Sequence, residues 1–215
     1  MTSLRLACID SEAAPLFHLA SADGSRAGYE PAVGALLAGT LGWDLSWVFL
    51  PWAEMLPALE DGRADAVLCG QGITPARQRL ADFTEPYGVF HESVLVRKGF
   101  ADAMTVGFGG ETGDVFGDML AALRSGEVDA VVDDDVVFVP LADDPDYDLA
   151  FTVQTGNRWG LAVSKSRPSL RDALTGALAA VKASGQLAAA WEEWLPTLDY
   201  PFAALSSTVL HNTME

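Results

Sequence analysis

Apolar and polar positions fall into two matching blocks. Met55-Leu56-Pro57-Ala58-Leu59, a polar turn and Ala64-Asp65-Ala66-Val67-Leu68 recur without a gap as Met119-Leu120-Ala121-Ala122-Leu123, a second turn and Val128-Asp129-Ala130-Val131-Val132. In each block the leucines one and four places after the methionine share a helical face. A glycine then suits a left-handed cap, Gly62 in the first and Gly126 in the second, and the apolar run that follows reads as a buried strand. Two such αβ units are too few and too far apart for a solenoid, and they predict two similar α/β lobes.

The rest of the pattern fits around these units. Residues 4–9 read as an opening strand, and Asp10-Ser11-Glu12 mark the end that would face a ligand crevice in an open parallel sheet. Ala14-Pro15-Leu16-Phe17 is a turn carrying an aromatic, and Ala22-Asp23-Gly24-Ser25 a loop tip. A helix from Pro31 puts Val33, Leu36, Leu37 and Leu41 on one stripe before Gly42 stops it. Strands follow at 45–50 and 64–69, and Thr74 is expected to cap a short helix with Pro75 in its first turn. A strand at 89–97 leads out through Lys98-Gly99, and one at 149–153 leads back through Thr155-Gly156-Asn157. Residues 158–163 would then rejoin the first sheet. Ser169 with Asp172 resembles a capping box for a helix facing inward through Leu170, Leu174, Leu178 and Val181, which Gly185 ends. In the last helix Trp191, Trp194 and Leu195 read as packing residues, and residues 201–215 form a tail with little periodicity.

Charge narrows the partners. Thirty acidic against 13 basic residues give a net charge of −17, which argues against nucleic acid or an anionic membrane surface. The same field repels anions, so an acidic ligand group needs a particular local cation. With 215 residues, 50% hydrophobic and 20% charged, the chain can bury one sizeable core or two small lobes. Cys8 and Cys69 read as small core fillers, and three scattered histidines offer no metal-ligand spacing, so neither metal nor cofactor is expected. Met1-Thr2-Ser3 run directly into the first strand with no basic region, apolar run or lipobox. The expectation is a cytoplasmic protein as written, or a periplasmic one if a leader was trimmed.

Gly70-Gln71-Gly72-Ile73-Thr74-Pro75-Ala76-Arg77, followed by Ala81-Asp82-Phe83-Thr84-Glu85-Pro86-Tyr87, resembles the signature of the polar amino-acid-binding proteins of ABC importers, family 3 of the periplasmic-type solute-binding proteins. The opening strand, Gly28-Tyr29-Glu30 and Asp129 to Asp134 fit the same pattern, and the resemblance spans residues 4 to about 198. It implies a two-lobed type II periplasmic-binding-protein fold. Each lobe would be a mostly parallel sheet flanked by helices, joined by a hinge of two crossover segments. Lobe 1 would comprise 1–94 and 158–200, and lobe 2 would comprise 95–157. Against the family pattern the second lobe lacks something like 25 to 30 residues, about one βα unit, whose turn normally offers N–H groups to a carboxylate. Gly109-Gly110-Glu111-Thr112 is a candidate substitute.

Site residues follow from the same resemblance. Arg77 stands in the first turn of its helix, where a cation is electrostatically unfavourable. Position alone makes it a surface or salt-bridged residue, whereas the family match implies a two-pronged clamp on a ligand carboxylate. Asp134 would take the α-ammonium, with Asp133 and Asp135 facing solvent; a bare acidic triplet otherwise reads as a solvated loop or a hard-cation site. Trp52, on position alone a core or rim residue, and Phe17 would be walls. Gly70, Gly72 and Thr74 would contribute backbone or hydroxyl contacts, and Asp10 a polar group. The implied function is binding of a small amino acid or similar zwitterion, with no chemistry, for an ABC transporter membrane component. A homo-oligomer could form through the shortened lobe. The alternatives are a cyclohexadienyl-dehydratase-like enzyme, with Glu12 or Glu85 as acid or base, and a ligand-sensing domain.

Overall fold

Gly62 and Gly126, which follow the repeated helices, both adopt left-handed backbone, with φ of 76° and 79°. The computed structural model describes residues 2–100, 106–107 and 115–202. Among them the chain runs β1 (Ser3–Cys8), α1 (Tyr29–Leu41), β2 (Asp44–Phe49), α2 (Met55–Glu60), β3 (Ala66–Val67), α3 (Pro75–Gln78), β4 (Asp82–Phe83) and β5 (Gly88–Arg97). It continues through β6 (Val106–Gly107), α4 (Val115–Ser125), β7 (Ala130–Asp134), α5 (Asp135–Phe138), β8 (Tyr147–Trp159), β9 (Ala162–Val163), α6 (Pro168–Ala183) and α7 (Gln186–Trp194). The second leucine of each helix, Leu59 and Leu123, is buried as expected, together with Met55 and Met119, whereas the first leucines, Leu56 and Leu120, expected on the same face, are only half-buried.

The strands form two sheets, ordered β2-β1-β3-β9-β4 and β6-β7-β5-β8. They are more mixed than the mostly parallel pattern expected. β1 pairs parallel with β2 and β3, but β9 runs antiparallel to β3 and β4. In the second sheet β6 and β7 are parallel, whereas β5 is antiparallel to β7 and β8. Antiparallel pairing follows from connectivity, because β5 and β8 carry the chain into and out of this sheet in opposite directions. Helices α1, α6 and α7 pack together on the first sheet, and α4 and α5 on the second. One apolar cluster runs through both, from Leu6, Val33 and Leu174 to Leu95, Leu123 and Phe138.

Several boundaries differ from expectation. Residues 64–69 are all buried, but only Ala66–Val67 make a ladder, between β1 and β9. Arg158 and Trp159 stay in the second sheet opposite Val89 and Gly88, and the first sheet is regained only at β9. The expected hinge Thr155-Gly156-Asn157 falls inside β8, where the register slips between Phe90 and Glu92 and the Gly156 N–H donates to His91 Nδ1 at 3.0 Å. A bulge thus bends the strand instead of a loop ending it. Pro168 occupies the first turn of α6 and Arg167 its N-cap, so Ser169 already lies inside the helix, two residues past the capping position. Gly185, at φ 80°, is the N-cap of α7, and Ser184 closes α6. Tyr200 and Phe202 pack back on Trp191 and Lys182, while residues 203–215 of the expected tail lie outside the described residues. So does Gly109-Gly110-Glu111-Thr112.

Gly88 is required for a different reason from Gly62. A Cβ on Gly88 would lie 2.5 Å from the buried ring of Trp159, whereas one on Gly62 would meet nothing within 4 Å. Gly62→Ala carries only the left-handed backbone penalty, about 1 kcal/mol, and is expected to lower Tm by about 2–4 °C. Gly88→Ala must displace a stiff aromatic and should cost about 1–3 kcal/mol more. Thermal melts of the two variants check the order; equal losses would mean that the Trp159 contact is not tight.

Candidate functional site

The loops that leave the C-terminal ends of β1 and β3 meet the crossover strands around a cavity of about 410 Å³, within the range of small-molecule pockets. Ile9, Phe17, Trp52, Gly70, Gly72 and Arg77 line the side of the first sheet, and Glu92, Phe116, Asp133, Asp134 and Asn157 that of the second.

Arg77 is positioned by local chemistry. The Thr74 hydroxyl accepts the Arg77 backbone N–H at 3.2 Å and so starts α3, with Pro75 in the first turn. The guanidinium folds back, donates from Nη1 to the Gly72 carbonyl at 3.1 Å, and lies 5.5 Å over the Trp52 ring. A Cβ on Gly72 would come within 3.0 Å of that same nitrogen, so glycine leaves the space for this turn. Burial lowers the Arg77 pKa, and the charge of Asp134 acts against that.

Of the residues expected at the site, Arg77, Asp134, Trp52, Phe17, Gly70, Gly72 and Thr74 all line the cavity. Asp10 does not; it is exposed, and its Oδ1 accepts the Ala20 N–H at 3.1 Å in the loop behind. The Gly70 N–H points away from the cavity, donating to the buried Glu30 carboxyl at 2.6 Å. Asp133 and Asp135 are not solvent-facing as expected. Asp133 lines the cavity and accepts the Asp134 N–H at 2.8 Å. Asp135 is buried and accepts the His91 N–H at 2.9 Å. Both are drawn inward because β7 runs directly into α5, which packs on β5.

Sequence reasoning missed Ser11, Phe90, Glu92 and Asn157. Phe90 stacks on Trp159 with ring centroids 4.9 Å apart. Glu92 stands directly opposite Asp134 in the β5–β7 ladder, and its Oε1 accepts Asn157 Nδ2 at 2.9 Å. An acidic residue alternating with Phe90 and Val94 along the strand was the available signal. Like charges facing one another across a ladder oppose folding, and here neither has an ion-pair partner among the described residues.

The carboxylates register this crowding. Burial pushes Asp133 up to about 6, with Glu92 adding repulsion. Burial likewise pushes Asp134 well above the usual carboxylate range, with Asp133, Glu92 and Asp135 adding to it. The fully buried Trp159 indole faces Asp134 and favours its charged form, yet its N–H falls short of full hydrogen-bond geometry and has no partner. Among the described residues no group of three or more His, Cys, Asp or Glu is arranged to hold a metal ion.

A family model described as bacterial extracellular solute-binding proteins, family 3, matches residues 6–197. The arginine-binding protein 1 of an ABC transporter from Escherichia coli K12 is 25% identical over 211 residues, covering 85% of this chain and 87% of that protein. The L-cystine-binding protein of the same strain is 28% identical over 208 residues, covering 84% and 78%. A solved ancestral amino acid-binding protein, described as a precursor of cyclohexadienyl dehydratase, matches with a TM-score of 0.79 at 23% identity over 90% of this chain and 95% of that one. That last likeness is one of fold.

The acidic wall sets a pH dependence. A carboxyl whose pKa is higher in the folded than in the unfolded chain holds its proton more tightly when folded, so ionising it costs stability. The ligand-free protein should therefore lose stability as pH rises from about 4, the unfolded value, to about 6 through Asp133, and further as Asp134 ionises. Asp133→Asn should flatten the fall in Tm over the first interval by several degrees relative to wild type. Melting curves at stepped pH test this, and an unchanged slope in the variant would refute it.

Proposed function

The chain belongs to the bacterial extracellular solute-binding proteins of family 3, and from that premise we propose that its cavity binds a small amino acid or similar zwitterion for an ABC-type import system. The observation that carries this reading is that Arg77 and Asp134 line one cavity from opposite sides. An α-amino acid bears its two charges on one carbon, and two opposed charged walls are its complement. Arg77 takes the carboxylate through its guanidinium fork, Asp134 takes the ammonium, and Trp52 and Phe17 form the walls. Gly72 and Thr74 hold Arg77 and border the ligand.

We take lobe 1 as residues 1–94 with 158–200 and lobe 2 as 95–157, with the ends of β5 and β8 that pair in the second sheet serving as the crossovers about which they close, so that ligand held by one side is desolvated by the other. The family description is extracellular, and we place the working site outside the cytosol, with an ABC membrane component as partner. The relatives named above are binding proteins, and no reaction is assigned to this cleft. Neither Glu12 nor Glu85 lines it; Glu12 instead pairs with His18 Nδ1 at 2.7 Å. Three carboxylates in the cleft would also repel prephenate, which carries two of its own. Consumption of prephenate or arogenate by the purified protein would restore the dehydratase reading.

Arg77→Ala should abolish detectable amino-acid binding, a loss of about 3 kcal/mol or more if the ligand carboxylate is left buried without its cation. Arg77→Lys should recover only part of it, since an ammonium lacks the fork. Calorimetry against the twenty amino acids, on wild type and both variants, makes the comparison. Equal binding to wild type and Arg77→Ala would remove Arg77 from the site.

A further inference from the structure

A neutral zwitterion leaves the acidic side of this cleft unbalanced. If Arg77 takes a carboxylate and Asp134 an ammonium, Glu92 and Asp133 still line the same space. The other basic residue at the rim, Arg158, is solvent-exposed and makes no ion pair among the described residues. Glu92 is held directly across the ladder from Asp134, and its one hydrogen-bond partner among the described residues is the neutral amide of Asn157.

We propose that the cleft selects amino acids bearing a second, side-chain cation, and that Glu92 sets this preference. The inference rests on reading the cleft as an amino-acid site. Opposed carboxylates in a ladder cost stability wherever nothing compensates them, and the compensation that fits is a positive charge brought by the ligand. Trp159 points to the same place independently. It is fully buried, its Nε1–H has no partner, and that nitrogen lies 3.8 Å from where a Cβ on the cavity-lining Gly70 would stand, and faces Asp134. The Trp159 N–H thus lies beside Asp134 without a full hydrogen bond to it, a buried donor that favours the charged form of that carboxylate. The same cavity is lined by Ile9, Phe17, Phe90, Phe116 and Val137, an apolar lining suited to a methylene stem with a charge at its end. The carboxylates are not arranged as metal ligands among the described residues, which leaves an organic cation as the fitting counter-charge.

Calorimetry with the full chain tests this through matched probes. L-Arginine against L-citrulline, and L-lysine against L-norleucine, keep the shape of the ligand and remove the side-chain charge. Agmatine keeps the side-chain charge and removes the carboxylate. For wild type, at least one charged probe should bind about tenfold or more tighter than its neutral partner, the discrimination equivalent to one decade in Kd. In Glu92→Gln, which keeps an acceptor for Asn157, that ratio should fall toward one, and a thermal melt verifies that the variant is folded. If amino acids bind but neither pair is discriminated, the cation preference is overturned while the amino-acid reading survives. Agmatine binding as tightly as arginine would support the cation preference and overturn the carboxylate clamp. A full ratio retained in Glu92→Gln removes Glu92 from its role, and failure of every probe to bind overturns both readings.

Discussion

The buried carboxyl of Glu30 is the joint on which the binding side of the molecule depends. It sits in the first turn of α1, where a negative charge is favoured by the helix dipole. Its Oε1 accepts the Gly70 N–H from the cleft loop and the Tyr87 hydroxyl from the start of the crossover. Three segments distant in sequence are thereby fixed to one side chain. Burial pushes its pKa up to about 7, and its Oε2 has no partner, so the joint is a costly one that only close packing sustains. That packing is an aromatic column. Trp191 meets Tyr29 edge-on at 5.2 Å, Tyr29 donates to the Tyr87 carbonyl, and Tyr87 and Phe90 both stack with Trp159. Gly28 completes it, since a Cβ there would collide with the Leu16 carbonyl and Phe17 Cα at 2.6 Å.

The column leads from the helical layer to the cleft and ends at the acidic wall. Trp159 is fixed by Gly88 on one strand and turns its N–H to Asp134 on another. The aromatic column that joins the two sheets therefore also borders the carboxylates of the second. This arrangement stores unfavourable energy in the empty protein, in the facing pair of Glu92 and Asp134 and in the burial of Asp133. A positive charge brought against this wall would relieve it. The bulge in β8 opposite His91 supplies the place where the crossover can bend while its pairing continues on both sides.

Much of this was legible along the chain. Helical spacing and the two glycines specify α2 and α4, because a helix face and a left-handed cap are properties of a few consecutive residues. Thr74 and Pro75 specify α3 and so fix Arg77 beside Gly72. The face of α6 is buried where its periodicity says, and so is the second leucine of each repeated helix. Tertiary structure alone decided the rest. Whether Gly70 offers its N–H to a ligand depends on Glu30, far away on α1, and Asp10 turns from the cleft to a loop that it caps locally. That Glu92 faces Asp134, and that Asp133 and Asp135 turn inward, follows from the register of β5 on β7 and the packing of α5. A strand's sequence encodes which residues share a face through its period of two, but not the register of its distant partner, and a slip of one residue would exchange every facing pair. The charge of the cleft wall is set by that register, so it belongs to the assembled sheet and to no single stretch of the chain.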